Sequence, residues 1–179
     1  MSRINPVKVE EAQGELKEIY QQLEKKMGKV INIFQNLGHS PAALKGMLGL
    51  MQAGEETSIP PQLREKIALI VGQTNSCNYC LSAHTSIAKK IGINDEDILK
   101  ARHGKSEDLK SDAILQFVKT VVTEKGQISN QDVDLLKKAG VSDKELVEII
   151  LLINLNMFTN YFNLITGTPI DFPLAPENI

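Results

Sequence analysis

The chain has 179 residues, of which 42% are hydrophobic and 23% charged, a balance that supports one globular domain, 1–179, with its own core. Twenty Lys and Arg against 22 Asp and Glu leave a net charge of -2, so there is no basic field to grip a phosphate backbone, and nucleic acid is not expected as a partner. The amino terminus has no apolar signal region and the longest strictly apolar run, Ile149 to Ile153, is too short to span a bilayer. The expectation is a cytoplasmic protein without a membrane partner.

Helical spacing recurs throughout, and no stretch alternates as a strand does, so the fold class is all-α with about seven to eight helices. The first helix is expected over residues 8 to 27, with Leu16, Ile19, Tyr20, Leu23 and Met27 on its buried face and Gly28 at its end. Ser40-Pro41 opens a Met-rich helix to about Glu56. Pro60-Pro61 restarts the chain, and Leu63, Ile67, Ile70, Val71 and Thr74 form a stripe that ends at Asn75-Ser76.

The next helix is expected from Cys77 to Ile91, capped by Ser76 and stopped at Gly92-Ile93. A short segment at 95–101 follows, then a helix marked by Ile114, Leu115, Val118, Val121 and Val122 that ends at Gly126. A brief helix from Asn130 to Ala139 ends at Gly140, and Ser142 with Glu145 makes a capping box for the last and most apolar helix. The stretches Lys89 to Asp95 and Lys137 to Asp143 echo one another 48 residues apart, which is either a duplicated helical unit or two ordinary cap pairs. The tail from Gly167 carries three prolines and reads as a docked extended segment.

Both cysteines of the chain, Cys77 and Cys80, fall in one short segment, unlike the scattered cysteines of a secreted disulfide scaffold. Positions 77, 80, 81, 84, 87, 88 and 91 step by three and four, so the thiols and His84 share an inward face with Leu81, Ile87, Ala88 and Ile91. Thiols at i and i+3 near a helix start close a disulfide with little backbone movement, and first-turn amides stabilise a thiolate. His84 is the candidate base for Cys80, and Glu65, on the preceding helix, can be turned toward the cysteines to pass protons. Zinc held by Cys77, Cys80, His84 and Glu65 is the rival reading. The favoured one has no metal and no cofactor beyond the dithiol itself.

Glu65, eleven residues, Cys77, two, Cys80, three, His84: this string resembles the signature of the AhpD-like alkylhydroperoxidases within the carboxymuconolactone decarboxylase superfamily. The helix pair 61 to 91 is similar to that family's redox core, and the ending from Asn160-Tyr161-Phe162-Asn163 to Phe172-Pro173 looks like its peroxidase-related branch. The resemblance implies an AhpD-like all-helical oligomer, a trimer or hexamer, that reduces a hydroperoxide substrate in antioxidant defence. It also implies that Cys80 attacks the peroxide, Cys77 resolves, and Glu65 with His84 relays protons. An external thiol or dihydrolipoyl-bearing protein would be the reductant. Some members carry histidine where this chain has Tyr79. The alternatives are a general disulfide reductase, a non-catalytic redox- or metal-sensing oligomer and a decarboxylase-type lyase.

Overall fold

The computed structural model describes residues 2–176. Among them a 3-10 turn, Val9–Glu11, precedes nine α-helices and no strand: α1 (Gly14–Met27), α2 (Asn32–Leu37), α3 (Pro41–Glu55), α4 (Pro61–Thr74), α5 (Asn78–Lys90), α6 (Asp95–Arg102), α7 (Leu109–Thr123), α8 (Asn130–Lys138) and α9 (Asp143–Thr166). The all-α expectation holds.

Local chemistry explains most boundaries. Gly28 ends α1 in the left-handed region at φ 79°, where a Cβ would be strained. The Ser40 hydroxyl caps α3 by accepting from Ala43 N, with Pro41 at the first helical position. Ser142 and Glu145 form the reciprocal box that opens α9.

Three boundaries differ from expectation. The first helix does not run unbroken from residue 8: extended backbone at Ala12 and Gln13 separates the 3-10 turn from α1, and Met27 is 43% exposed instead of buried. The hexamer α2 had no sequence signal. Ser76 does not cap α5; it sits at φ 55° and closes α4, with Ser76 N donating to Gln73 O and Cys77 N to Gly72 O. That is a Schellman stop whose left-handed position, usually glycine, is taken by serine, so Cys77 becomes the cap of α5.

The echo at 48 residues extends to whole elements. α4 and α7 start at 61 and 109, α5 and α8 end at 90 and 138, and α6 and α9 start at 95 and 143. The caps match in detail: Gly92 N donates to Lys89 O and Gly140 N to Lys137 O, while Lys89 pairs with Asp95 and Lys137 with Asp143.

Buried side chains form two clusters. One gathers α4 to α9 around Ile67, Leu69, Ile70, Leu115 and Ile149, and the other gathers α1 to α3 around Tyr20, Phe34, Leu44 and Met47. Helix α5 crosses the seam, with Leu81 and Ala88 in the first cluster and Cys77, Tyr79 and Cys80 in the second. The cysteine turn therefore lies where two cores meet. Helix α9 is long and apolar enough to cross a membrane by length and composition, with mean hydropathy 1.3. It packs instead against α3, α4, α5 and α7, as a core helix does.

Candidate active site

The site is built on the α4–α5 hairpin, whose joint is only Asn75, Ser76 and Cys77. Cys77 and Cys80 are joined as a disulfide with their Cα atoms 5.3 Å apart, a separation that one helical turn supplies without distortion of the backbone. Cys77 Sγ also accepts from Cys80 N at 3.3 Å, so this sulfur is the one that meets the first-turn amide. Gly72 on α4 faces the cysteine turn; a Cβ there would be in ordinary van der Waals contact with Cys80 Cβ, at 3.6 Å, and with Leu81.

One turn on, His84 Nδ1 and Glu65 Oε2 are 2.8 Å apart, bringing the α4 carboxylate and the α5 imidazole together as expected. When the carboxylate accepts from Nδ1–H, a neutral imidazole carries its lone pair on Nε2. Arg64 and Lys66, the neighbours of Glu65 in sequence, do not neutralise it: Arg64 donates to Ile59 O, and Lys66 reaches Ser106.

Glu65 and His84 line a cavity of about 380 Å³ whose other walls include Met51, Ala68, Ile87, Leu155 and Asn156. Ile87, expected to point inward, is 37% exposed at this cavity. The cysteines do not line it, and they are 1% and 3% exposed. The stripe of both cysteines and His84 thus splits, with the sulfurs in the core and the imidazole at the cavity wall. Among the described residues no three His, Cys, Asp or Glu side chains gather as a metal site.

On the other side of the turn the tail forms a strap. Tyr79 OH donates to Asp171 Oδ1 at 2.8 Å, and its ring meets Phe172 edge-on at 5.7 Å. Burial, and then the Asp171 carboxylate, push the Tyr79 phenol well above its ordinary value, so it stays protonated and donates. Asp171 Oδ2 also accepts from Asn32 N, and Ala175 N donates to Ser82 Oγ, so the expected docked tail is present.

Sequence reasoning missed the polar side chains that α9 turns inward. Asn156, Asn160 and Asn163 are buried at 5%, 0% and 5% exposure, spaced i, i+4, i+7 on the inward face of α9. Asn160 Oδ1 accepts from Asn75 at the hairpin joint, at 3.0 Å, and Asn163 Nδ2 donates to Cys80 Sγ at 3.5 Å. The available signal was three helix-disfavoured amides at core spacing.

Residues 41–122 match the carboxymuconolactone decarboxylase family model. An uncharacterized protein of Bacillus subtilis (strain 168), YdfG, is 34% identical over 59 residues, which are 33% of this chain and 40% of that protein. Two solved structures share the fold at low identity. A peroxidase-related protein from Ralstonia eutropha JMP134, described as an alkylhydroperoxidase AhpD core, has a TM-score of 0.84 at 18% identity over 95% of this chain and 92% of its own. The debrominase Bmp8, solved with 2,3,4-tribromopyrrole, has a TM-score of 0.81 at 22% identity over 96% and 94%.

Proposed function

Because the chain belongs to the carboxymuconolactone decarboxylase superfamily, with an AhpD-like fold, we propose that it is a dithiol peroxidase that reduces organic hydroperoxides. The observation that carries this reading is the Cys77–Cys80 bridge one helical turn from the Glu65–His84 pair, itself at the wall of an apolar cavity.

His84, held by Glu65, takes the Cys80 thiol proton on Nε2; the thiolate attacks the distal peroxide oxygen, the O–O bond breaks, and the alkoxide leaves and takes that proton back to become the alcohol. Cys80 is now a sulfenic acid. Cys77 attacks that sulfur, water leaves, and the disulfide forms. A dithiol donor, for which a dihydrolipoyl-bearing protein is our candidate, returns two electrons and two protons, and no further cofactor is needed. Burial of the sulfurs makes access the demanding step, so substrate must pass from the cavity beyond His84.

The working form on this reading is a cytoplasmic, single-domain homo-oligomer. The exposed apolar side of α9, with Val147, Ile150, Tyr161, Leu164 and Ile165 between 41% and 68% exposed, is a face that a second copy would cover. Sedimentation tests that part: a Leu164→Glu, Ile165→Glu protein should run as a smaller species than the parent.

A second reading, favoured by the debrominase's shared fold and the cavity's apolar walls, has the same dithiol give two electrons and a proton to a halogenated aromatic ring, so that the carbon–halogen bond breaks, halide leaves and the disulfide forms. The deciding assay compares cumene hydroperoxide and a bromopyrrole as oxidants of the reduced protein, with lipoamide as donor and a thiol count before and after. Hydroperoxide turnover that disappears in Cys80→Ser supports the peroxidase. Turnover that survives that substitution overturns it.

A further inference from the structure

We propose that Asn163 is a further member of the thiol site: its carboxamide donates to Cys80 Sγ and holds that sulfur, in preference to Cys77, as the thiolate. The inference rests on the peroxidase reading for why the thiolate matters, but it stands on its own geometry. Asn163 Nδ2 lies 3.5 Å from Cys80 Sγ, at 95% burial, on a helix 83 residues away in sequence.

The chemistry of the pair decides what this contact does. A disulfide or neutral thiol sulfur is a weak acceptor, whereas a thiolate is a strong one, so an amide aimed at the sulfur gains most when the proton has left. The two thiols start unequal in the opposite sense, because Cys77 caps α5 and Cys77 Sγ meets Cys80 N at 3.3 Å. Without a second donor the helix terminus would favour Cys77. Asn163 supplies that donor to Cys80 alone.

The amide is poorly explained as packing. Asn163 Oδ1 has no hydrogen-bond partner, and neither has Asn160 Nδ2, although both are buried. At position 163 leucine or alanine would fill the space without stranding the amide oxygen. Asn156, by contrast, turns its amide back onto its own helix at Leu152 O. Asn160 braces Asn75 at the hairpin joint, and only Asn163 spends its donor on sulfur.

The titratable groups around the cysteine turn do not duplicate this role. His84 on α5 is held by Glu65 on α4, and Asp171 on the strap is held by Tyr79, Asn32 and Lys29. Tyr20 on α1, in the same cluster, stays neutral because burial pushes it up to about 12. From Ile149 onward α9 carries no charged residue.

The test uses full-length Cys77→Ser protein, in which Cys80 is the only thiol and serine keeps a capping oxygen. Iodoacetamide alkylation is followed against pH, together with thiolate absorbance near 240 nm. Adding Asn163→Leu should slow alkylation at neutral pH roughly tenfold, a rise of about one pKa unit, and Asn163→Gln should restore part of it. An Asn163→Leu profile that coincides with the parent's overturns the proposal. If that variant does not fold by circular dichroism, Asn163→Asp decides: a carboxylate at the sulfur should slow alkylation further, and an unchanged profile again overturns it. No peroxide enters the measurement. A shifted profile in a protein without peroxidase activity therefore sinks the functional reading and leaves this one, while an unshifted profile in an active peroxidase does the reverse.

Discussion

The cysteine turn has two sides that differ in kind. Toward the cavity stand Glu65 and His84, with side chains 17% and 22% exposed and a single mutual hydrogen bond. Toward the strap stand Tyr79, Asp171 and Phe172, joined by two hydrogen bonds to α2, an edge-on ring contact and the Lys29 ammonium 5.4 Å from the Phe172 centroid. The cavity side, which would move protons on the proposed reading, is held by that one bond. The strap side is tightly held and, with its phenol locked in the protonated state, suited to anchoring. One turn of helix thus presents chemistry on one side and fixes its own position from the other.

This contrast is open to direct attack. Cys80→Ser, at the centre, should lower hydroperoxide consumption on the order of a thousandfold or more, measured with a coupled dithiol assay. Cys77→Ser should retain one turnover and accumulate a sulfenic acid that dimedone traps. On the cavity side, Glu65→Gln removes the acceptor for His84 Nδ1–H and should lower the rate roughly a hundredfold while leaving the urea midpoint unchanged. On the strap side the pattern should invert. Tyr79→Phe strands Asp171 Oδ1 and should cost about 1–2 kcal/mol in urea denaturation, with the rate within about twofold of the parent. Should Glu65→Gln destabilise and Tyr79→Phe inactivate, the division of labour is wrong.

The smallest effect lies away from both sides. Hydrogen bonding to Lys110, reinforced by the Ser142 cap, holds the Glu145 carboxyl at about 2. A carboxyl depressed in the folded state stabilises above its ordinary value of 4.5, and the contribution is lost as pH falls toward 2. Glu145→Gln should therefore cost about 1 kcal/mol at neutral pH, a figure kept small because Lys110 is 39% exposed. The gap between parent and variant should close in acid, as read by thermal melts across pH 2 to 6.

How much of this was legible depends on whether the cause was local. The caps at Ser40, Gly92, Gly140 and Ser142 were readable because each is satisfied within a few residues. The meeting of Glu65 with His84 followed from a hairpin joint too short to allow another arrangement. Helix α2 was not legible, because its first amide is capped by Asp171, 139 residues away, while Ile31 at its own cap position offers no side-chain acceptor. Ser76 misled for a related reason: it has the chemistry of a helix opener, but the preceding helix needed a left-handed residue to stop. The α9 amides escaped because the partners of Asn160 and Asn163 sit far off in sequence, at the hairpin joint and on α5, and the 3.6-residue period that marks a core stripe does not distinguish an inward asparagine from an outward one.

The bridge between Cys77 and Cys80 spans three residues of sequence, and so small a ring bears on what its opening would do to the fold. By chain-entropy arithmetic, closing so small a loop restrains the unfolded chain by roughly 2 kcal/mol, against nearly 5 for a loop of a hundred residues. Nothing distant is tethered when it closes, and nothing distant is released when it opens. Reduction should therefore move the melting temperature by only a few degrees, so electrons can be loaded and unloaded in a chain that stays folded throughout.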